Sequence, residues 1–366
     1  MLSEPSTGLR DLARRRLANH HLTGAPFATP AEAVAWLGAV QAQDYAGAKW
    51  GIGQRARAGA DTDLEDALQV GQILRTHVLR PTWHFVLPAD IRWLLELTAP
   101  RIHAASAYYH RQVELDAATF ARSNAVLARA VTGHNYLTRE ELGRALAGAG
   151  VAATGVRLGY LVMRAELEGV LVSGPRRGKQ LTYALLDERV PAAPVRSREA
   201  ALGELTQRYF TSHGPATAAD FAWWSGLPSS DVKLGLEMNE GLLREEVVDG
   251  ARYWFAQSRR RVPDGPPLPH LLPNFDEYLV AYENHRVAID PELEKKLRAH
   301  SNVLRGHVVV LDGRIIGGWR RTLRKGHVSI EVTPIGDVSR TTKQAVRDAA
   351  NRYGRHLVLA AEVKWA

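Results

Sequence analysis

"YLTREELGRALAGAGVAATGVRLGYLVMRAELEGVLVSGPRRGKQLTYALL", residues 136–186, spells out a small fold in order. Thr138 stands three residues before Glu141. That is the spacing of a reciprocal helix cap, in which hydroxyl and carboxylate each accept from the other residue's backbone N–H. A short amphipathic helix is predicted to follow, and "TGVRLGYLVMRAELEGVL" predicts a second. Period-2 runs on both sides of "GPRRG" predict a hairpin. Helix, turn, helix and two-stranded wing is the winged-helix plan.

The same order recurs to either side. "PATAADFAWWSGL" (215–227) carries Thr217 and Asp220, the Asp form of the box, and leads into "SSDVKLGLEMNEGLL" and the hairpin "LREEVVDGARYWF" with its Asp-Gly turn. "ATPAEAVAWL" (28–37) carries Thr29 and Glu32. In this more diverged copy the second helix is predicted over "AGAKWGIGQRAR", and the strands over "QILRTHVLR" and "PTWHFVL". "DIRWLLELTAPRIHAASAYYHRQVELD" and "AATFARSNAVLARAVTG" read as linking helices. Near residue 262 the Pro-rich "VPDGPPLPHLLPNFDEYL" breaks the helical pattern. Beyond it lie the strands "HVVVLDGRIIGGWRR" and "GHVSIEVTPI", the helix "SRTTKQAVRDAANRYGRHL" and a last strand, "VLAAEV". The expected fold is mainly α with β. Winged-helix units span 1–115, 116–195 and 196–262, and a β-barrel-like α+β domain spans 263–366.

Composition narrows the functional classes. The chain has 366 residues and no cysteine, which excludes disulfides, thiolate chemistry and Cys-based zinc sites. No apolar run approaches a membrane span, and "MLSEPSTGLRDLARRRLANHH" lacks the apolar core of a signal peptide. A soluble cytoplasmic, nucleoid-associated monomer is expected. Lys and Arg number 47 against 39 Asp and Glu, a net charge of +8. The excess is clustered in "RDLARRRL", "GPRRGK", "SRRRV" and "GWRRTLRKGH". Such clusters suit a polyanion, so double-stranded DNA is the expected partner. No phosphate-binding loop and no HExxH or GxSxG occurs, and no cofactor or metal is expected. The acids and His285 of "NFDEYLVAYENHR" are expected to be structural.

Candidate DNA contacts follow from the clusters. "RTHVLRPTWHFV" places Arg75, His77, Arg80 and His84 in one hairpin, with Trp83 expected in the core. Arg176, Arg177 and Lys179 lie at the tip of the second wing. Arg320, Arg321, Arg324 and Lys325 crowd a later hairpin tip. In "VQAQDYAGAKWGIGQR" (40–55), Gln41 and Gln43 stand two apart, and alternation on extended backbone aims them the same way. Alone, the pair reads most simply as two amides satisfying buried backbone at a helix end.

Together, "LGAVQAQDYAGAKWGIGQR", "LRTHVLRPTWHFVLPAD", "LLPNFDEYLVAYENHR" and "VVLDGRIIGGWRR" resemble the AlkZ-like family of bacterial DNA glycosylases, in the same order over nearly the whole chain. The resemblance implies tandem winged helices with a C-terminal β-barrel. It implies removal of bulky alkylated purines and unhooking of interstrand crosslinks, with many members protecting antibiotic producers from their own DNA-alkylating product. It assigns catalysis to the Gln-x-Gln signature, here Gln41-Ala42-Gln43. The chemistry fits. A purine alkylated on a ring nitrogen is cationic and already a good leaving group. Two neutral amides can then hold the attacking water. Asp44 should face away from Gln43 and cap the next helix. The alternative function is a non-enzymatic winged-helix DNA-binding protein, either a regulator or a damage binder.

Overall fold

The computed structural model describes residues 7–257, 262, 265–290, 294–295 and 306–366. The first part comprises α1 (Thr7–Asn19), α2 (Pro30–Leu37), β1 (Val40–Gln41), α3 (Tyr45–Gly53), α4 (Asp61–Gln69), β2 (Leu74–Val78) and β3 (Arg80–Val86). Two linking helices follow, α5 (Pro88–Gln112) and α6 (Ala117–Val131). Then come β4 (Leu137–Thr138), α7 (Arg139–Gly148), α8 (Gly155–Leu167), β5 (Leu171–Arg177) and β6 (Gln180–Leu185). The third set is α9 (Leu186–Arg189), α10 (Arg198–Ser212), α11 (Ala218–Ser225), α12 (Ser229–Met238), β7 (Leu243–Val248) and β8 (Ala251–Ala256). The last part holds β9 (His270–Leu272), α13 (Glu277–Val280), β10 (His307–Leu311), β11 (Arg314–Arg324), β12 (His327–Pro334), a C-terminal helix (Arg340–Leu357) and β13 (Ala360–Trp365).

The repeat is present, with its first copy in a different register from the one expected. In each set a short extended segment precedes two helices and a hairpin, and it pairs with the hairpin's second strand. Thus β1 pairs with β3, β4 with β6, and Ala216 bridges Trp254 of β8. The counterpart of α7 and α11 is therefore α3, capped by Asp44, and not the helix capped by Thr29. The second helix of that copy is α4, formed by "DTDLEDALQ". Thr138–Glu141 and Thr217–Asp220 make full capping boxes. Thr29 accepts from Glu32 N–H, whereas the Glu32 carboxylate reaches back to Ala28 N–H.

The C-terminal part is not a closed barrel. Its five strands run β13-β12-β11-β10-β9 in an open sheet, antiparallel except for the parallel β12–β13 pair. The C-terminal helix supplies Val346, Ala349, Ala350 and Tyr353 to a core shared with Trp50 of α3 and Trp319 of β11. A helix packed on one face removes the need for the sheet to close on itself. Among the described residues, no helix is long and apolar enough to cross a membrane.

Segment 270–282 joins this sheet to everything else. Leu271 O accepts from the Trp50 indole at 2.6 Å, and Leu272 O from the Trp319 indole at 2.9 Å. Phe275 then takes a left-handed backbone (φ 63°), a strained conformation for a bulky residue. The turn presents Asp276 and Glu277 inward. Asp276 forms a bidentate, fully buried pair with Arg55 at 2.7 and 2.9 Å. Arg55 also donates to His20 O and Gly51 O. The N-terminal cluster "RDLARRRL" is likewise used internally. Arg14 pairs with Asp312 at 2.6 Å, Arg15 pairs with Glu246, and buried Arg16 lies 3.5 Å from Asp220. Arg15 and Arg16 of this cluster are thereby buried in the fold, while Arg10 and Arg14 stay partly exposed on Asp312. "SRRRV" lies outside the described residues apart from Val262.

Burial of histidine makes this fold sensitive to acid. Burial pushes His20, His84, His213 and His270 below the ordinary imidazole range, His270 to about 3. Above about pH 7 these groups are neutral both folded and unfolded. Below about 6.5 the unfolded chain takes up protons that the folded chain refuses, so stability falls with pH, by roughly 1.4 kcal/mol per unit for each such group. The melting temperature should be level from pH 8 to 7 and drop between pH 6.5 and 5, above the carboxylate range. A level melting temperature down to pH 5 would contradict it.

Candidate active site around Gln41 and Gln43

The Gln-x-Gln segment is an edge strand held on three sides. Val40 and Gln41 pair with Phe85 and His84, and Ala42 N–H donates to Trp83 O at 2.7 Å. The Arg75 guanidinium donates from Nε to Ala42 O at 3.2 Å. From below, the Glu277 carboxylate accepts from Gln41 N–H at 2.7 Å and, through its other oxygen, from the Trp224 indole at 2.9 Å. Glu277 is 1% exposed. Its charge is met by these two donors, with the His213 ring nitrogen Nε2 lying 3.5 Å away. Asp44 accepts from Gly47 N–H at 3.0 Å and caps α3.

Both glutamine side chains engage β3. The Gln41 amide oxygen accepts from Arg80 Nη2 at 2.8 Å, and the Gln43 amide oxygen accepts from Thr82 Oγ1 at 2.9 Å. Arg80 and Thr82 are two apart on β3, as Gln41 of β1 and Gln43 just beyond it are in the chain, and each glutamine amide oxygen meets one of them. Gln41 is 7% exposed and Gln43 is open to solvent. Each amide oxygen has a second lone pair and each amide an NH2, so both can still hold a water. Among the described residues, no carboxylate bonds to either side-chain amide.

Arg80 reaches Gln41 because of how its hairpin turns. Leu79 has a left-handed backbone (φ 62°) and donates its N–H to Thr98 Oγ1. The turn sits against Gly226 (φ 70°), where a Cβ would lie 2.4 Å from Leu79 O. Only glycine lets the end of α11 approach this closely.

The other expected DNA contacts fall into three groups. His77 and His84 are 5% and 0% exposed, so neither meets a phosphate, which corrects the expectation for both. His77 faces buried Glu166 at 2.5 Å and lies tilted against the Trp83 ring, while His84 is opposite Gln41 across the β1–β3 pair. Trp83 is half-buried instead of core, with the Arg75 guanidinium 4.4 Å from its ring. Arg75 and Arg80 thus support the glutamines as well as facing outward in part. Arg176 and Arg177 pair with Glu65 and Glu141 at 2.5 Å, and Lys179 is exposed. At the other hairpin Arg320 pairs with Glu331 at 2.6 Å and Arg321 lies over Tyr353, while Arg324 and Lys325 are exposed at the tip. Exposed pairs such as Arg320–Glu331 are weak and exchange readily for phosphate.

Sequence reasoning missed Glu277, Trp224 and Thr82 as parts of the site. Thr82 is Gln43's neighbour across the sheet, and the alternation of "RPTWHFV" could have found it. Glu277 lies 236 residues from Gln41, and no local pattern links them.

Glu277→Gln tests the support. It replaces an acceptor of two N–H groups with a side chain that must aim its NH2 at one of them. An unsatisfied donor pair of this kind costs about 1–3 kcal/mol of stability. Displacement of β1 by a fraction of an ångström should slow base release by roughly ten- to a hundred-fold. Melting and single-turnover excision measure both effects, and a wild-type excision rate would contradict the assignment.

A model of the AlkZ-like DNA glycosylases matches residues 34–356. A Streptomyces sahachiroi protein named interstrand DNA cross-link repair glycosylase is 26% identical over 349 residues, covering 88% of this chain and 90% of its own length. The solved structure of Streptomyces sahachiroi DNA glycosylase AlkZ has the same fold, with a TM-score of 0.79 at 22% identity over all of both chains. Residues 34–356 include the Gln-x-Gln strand, its β3 partners and the Glu277 turn, and on that match the chain belongs to the AlkZ-like DNA glycosylase family.

Proposed function

We propose that the chain is a monofunctional glycosylase that hydrolyses the N-glycosidic bond of cationic alkylated purines, 7-alkylguanine above all, and unhooks interstrand crosslinks of that chemistry. The observation that carries the reading is the pair of neutral amides, Gln41 at the end of β1 and Gln43 just beyond it, on a segment locked by Glu277 and Arg75. The amides hold a water at the anomeric carbon, and rigid backbone beneath them keeps it in place. The three helix–helix–hairpin sets act as winged-helix units, with boundaries at 1–115, 116–195 and 196–262 ahead of the sheet domain at 263–366. Arg176, Arg177 and Lys179 of one wing and Arg320, Arg321, Arg324 and Lys325 of the later hairpin contact the backbone of damaged duplex. The chain works as a cytoplasmic monomer, without cofactor, in self-resistance to a DNA-alkylating natural product.

Charge decides the substrate. The two carboxylates nearest the glutamines along the chain and in space are both occupied. Asp44 caps α3, and Glu277 is bonded to backbone and indole. His84 is held neutral by burial, with Arg80 adding to the effect. Among the described residues no group is poised to protonate a departing base, so the base must arrive already charged. An uncharged lesion forgoes the hundred- to ten-thousand-fold that general acid catalysis typically supplies. Lys49 is not free as a nucleophile either, since it is buried against Asp61 and Glu65.

The test is release of free base from defined duplexes. 7-Methylguanine should be released, leaving an abasic site in an intact strand, and uracil and 8-oxoguanine should be retained. Gln41→Ala and Gln43→Ala should each slow release about a hundred-fold or more with DNA affinity kept. Uracil release, or an adduct trapped by borohydride, would contradict the mechanism. Tight binding with no release from any alkylated or crosslinked duplex would leave the damage-binder reading.

A further inference from the structure

Two adjacent tryptophans on α11 have opposite fates. Trp224 is fully buried and donates to Glu277. Trp223 is 48% exposed, a large apolar area to leave in water. Its ring is nevertheless fixed, because its indole N–H donates to Val280 O at 3.0 Å. Val280 ends the helical turn begun by Glu277, so the element that supports Gln41 also aims Trp223.

Arg80 lies between the ring and the glutamine. Its guanidinium carbon is 5.6 Å from the Trp223 ring centre, and its Nη2 donates to Gln41. Its remaining contact is a long one to Val280 O, at 3.5 Å, and its Nε is buried without a hydrogen-bond partner. Among the described residues no carboxylate comes within ion-pair distance of it, and buried Glu277, already bonded to two N–H groups, acts on it only from farther off. A cation left unpaired beside the reacting sugar would oppose the oxocarbenium charge that develops there. A phosphate on Arg80 removes that penalty, and it brings a nucleobase within reach of the indole.

From this geometry we propose that Trp223 and Arg80 form a nucleotide subsite beside Gln41, with the indole stacking on an unstacked base of the damaged duplex and the guanidinium holding the phosphate. The subsite rests on the glycosylase reading above and adds a specificity-determining residue to it. Base–aromatic stacking tolerates any base, so the subsite selects for disrupted stacking and not for sequence. Trp223 touches no reacting atom. Its effect is on affinity for distorted DNA.

The experiment uses the full chain and a duplex with a non-hydrolysable 2′-fluoro 7-methylguanosine flanked by 2-aminopurine. Trp223→Ala should raise Kd about ten-fold, as expected for loss of one stack, and leave 2-aminopurine emission brighter than in the wild-type complex. Trp223→Phe should stay within about three-fold of wild type and quench as wild type does. A buried structural role would not give this pattern of ring rescue and quenching. Unchanged Kd and quenching in Trp223→Ala would overturn the subsite. Should that variant melt early, Trp223→Met takes its place, and the same two readouts decide. If the wild type binds this duplex but releases no alkylated base from the hydrolysable one, the glycosylase reading fails while the subsite is still judged by these variants.

Discussion

The Glu277 carboxylate is the constraint on which the arrangement depends. It is buried, ionisable and 236 residues from the strand it supports. Burying a charge is costly unless donors surround it. Here one oxygen takes the Gln41 backbone N–H and the other the Trp224 indole N–H, with His213 alongside. The demand for donors ties three parts of the chain at one point: the Gln-x-Gln strand, the helix carrying Trp223 and Trp224, and the turn leading out of the C-terminal sheet. One residue earlier, Asp276 makes the same demand and Arg55 answers it, which links α3 and the end of α1. Losing one member of such a buried pair typically costs about 3–5 kcal/mol, because the survivor is left uncompensated.

This support explains how two neutral amides could do chemistry. A glutamine is a weak base, and its value lies in position. The Gln41 backbone is fixed by Glu277 and by β3, its side chain by Arg80, and the carbonyl that follows by Arg75. Arg75 is in turn steadied against Trp83, which packs on the buried His77–Glu166 pair. Gln41 stands on a strand, and Gln43, in the bend that follows it, is held to β3 through Thr82. The net charge of +8 is therefore an imperfect guide to DNA contact. Arg14, Arg15, Arg16 and Arg55 hold the fold together, while Lys179, Arg324 and Lys325 stand open to solvent.

Local signals in the sequence were largely legible. Capping boxes at Thr138 and Thr217, the Asp249-Gly250 turn and the strands of the last sheet depend on neighbours a few residues away. The first repeat was harder, because its α3 is capped by Asp44 instead of a Thr, and the Thr29 helix offered a misleading match. An open sheet and a barrel share one alternation pattern, so closure could not be read from β10–β12. The alternation of Gln41 and Gln43 was visible, but their partners were not. Arg80 and Thr82 become neighbours only when β1 pairs with β3. Glu277 was read as structural, and it is, but beneath the Gln-x-Gln strand. His77 and His84 looked like surface groups in a basic hairpin and are buried by the packing of neighbouring elements.

The central claim is that Gln41 and Gln43 together hold the attacking water on a backbone anchored by Glu277. It is tested most directly by a crystal structure with duplex DNA carrying a cationic pyrrolidine analogue of the oxocarbenium sugar beside 7-methylguanine as free base. The account predicts a water within hydrogen-bonding distance of both side-chain amides and in line with the position of the anomeric carbon, with Glu277 still bonded to Gln41 N–H. A water held instead by a carboxylate, or a sugar bound far from both glutamines, would contradict it.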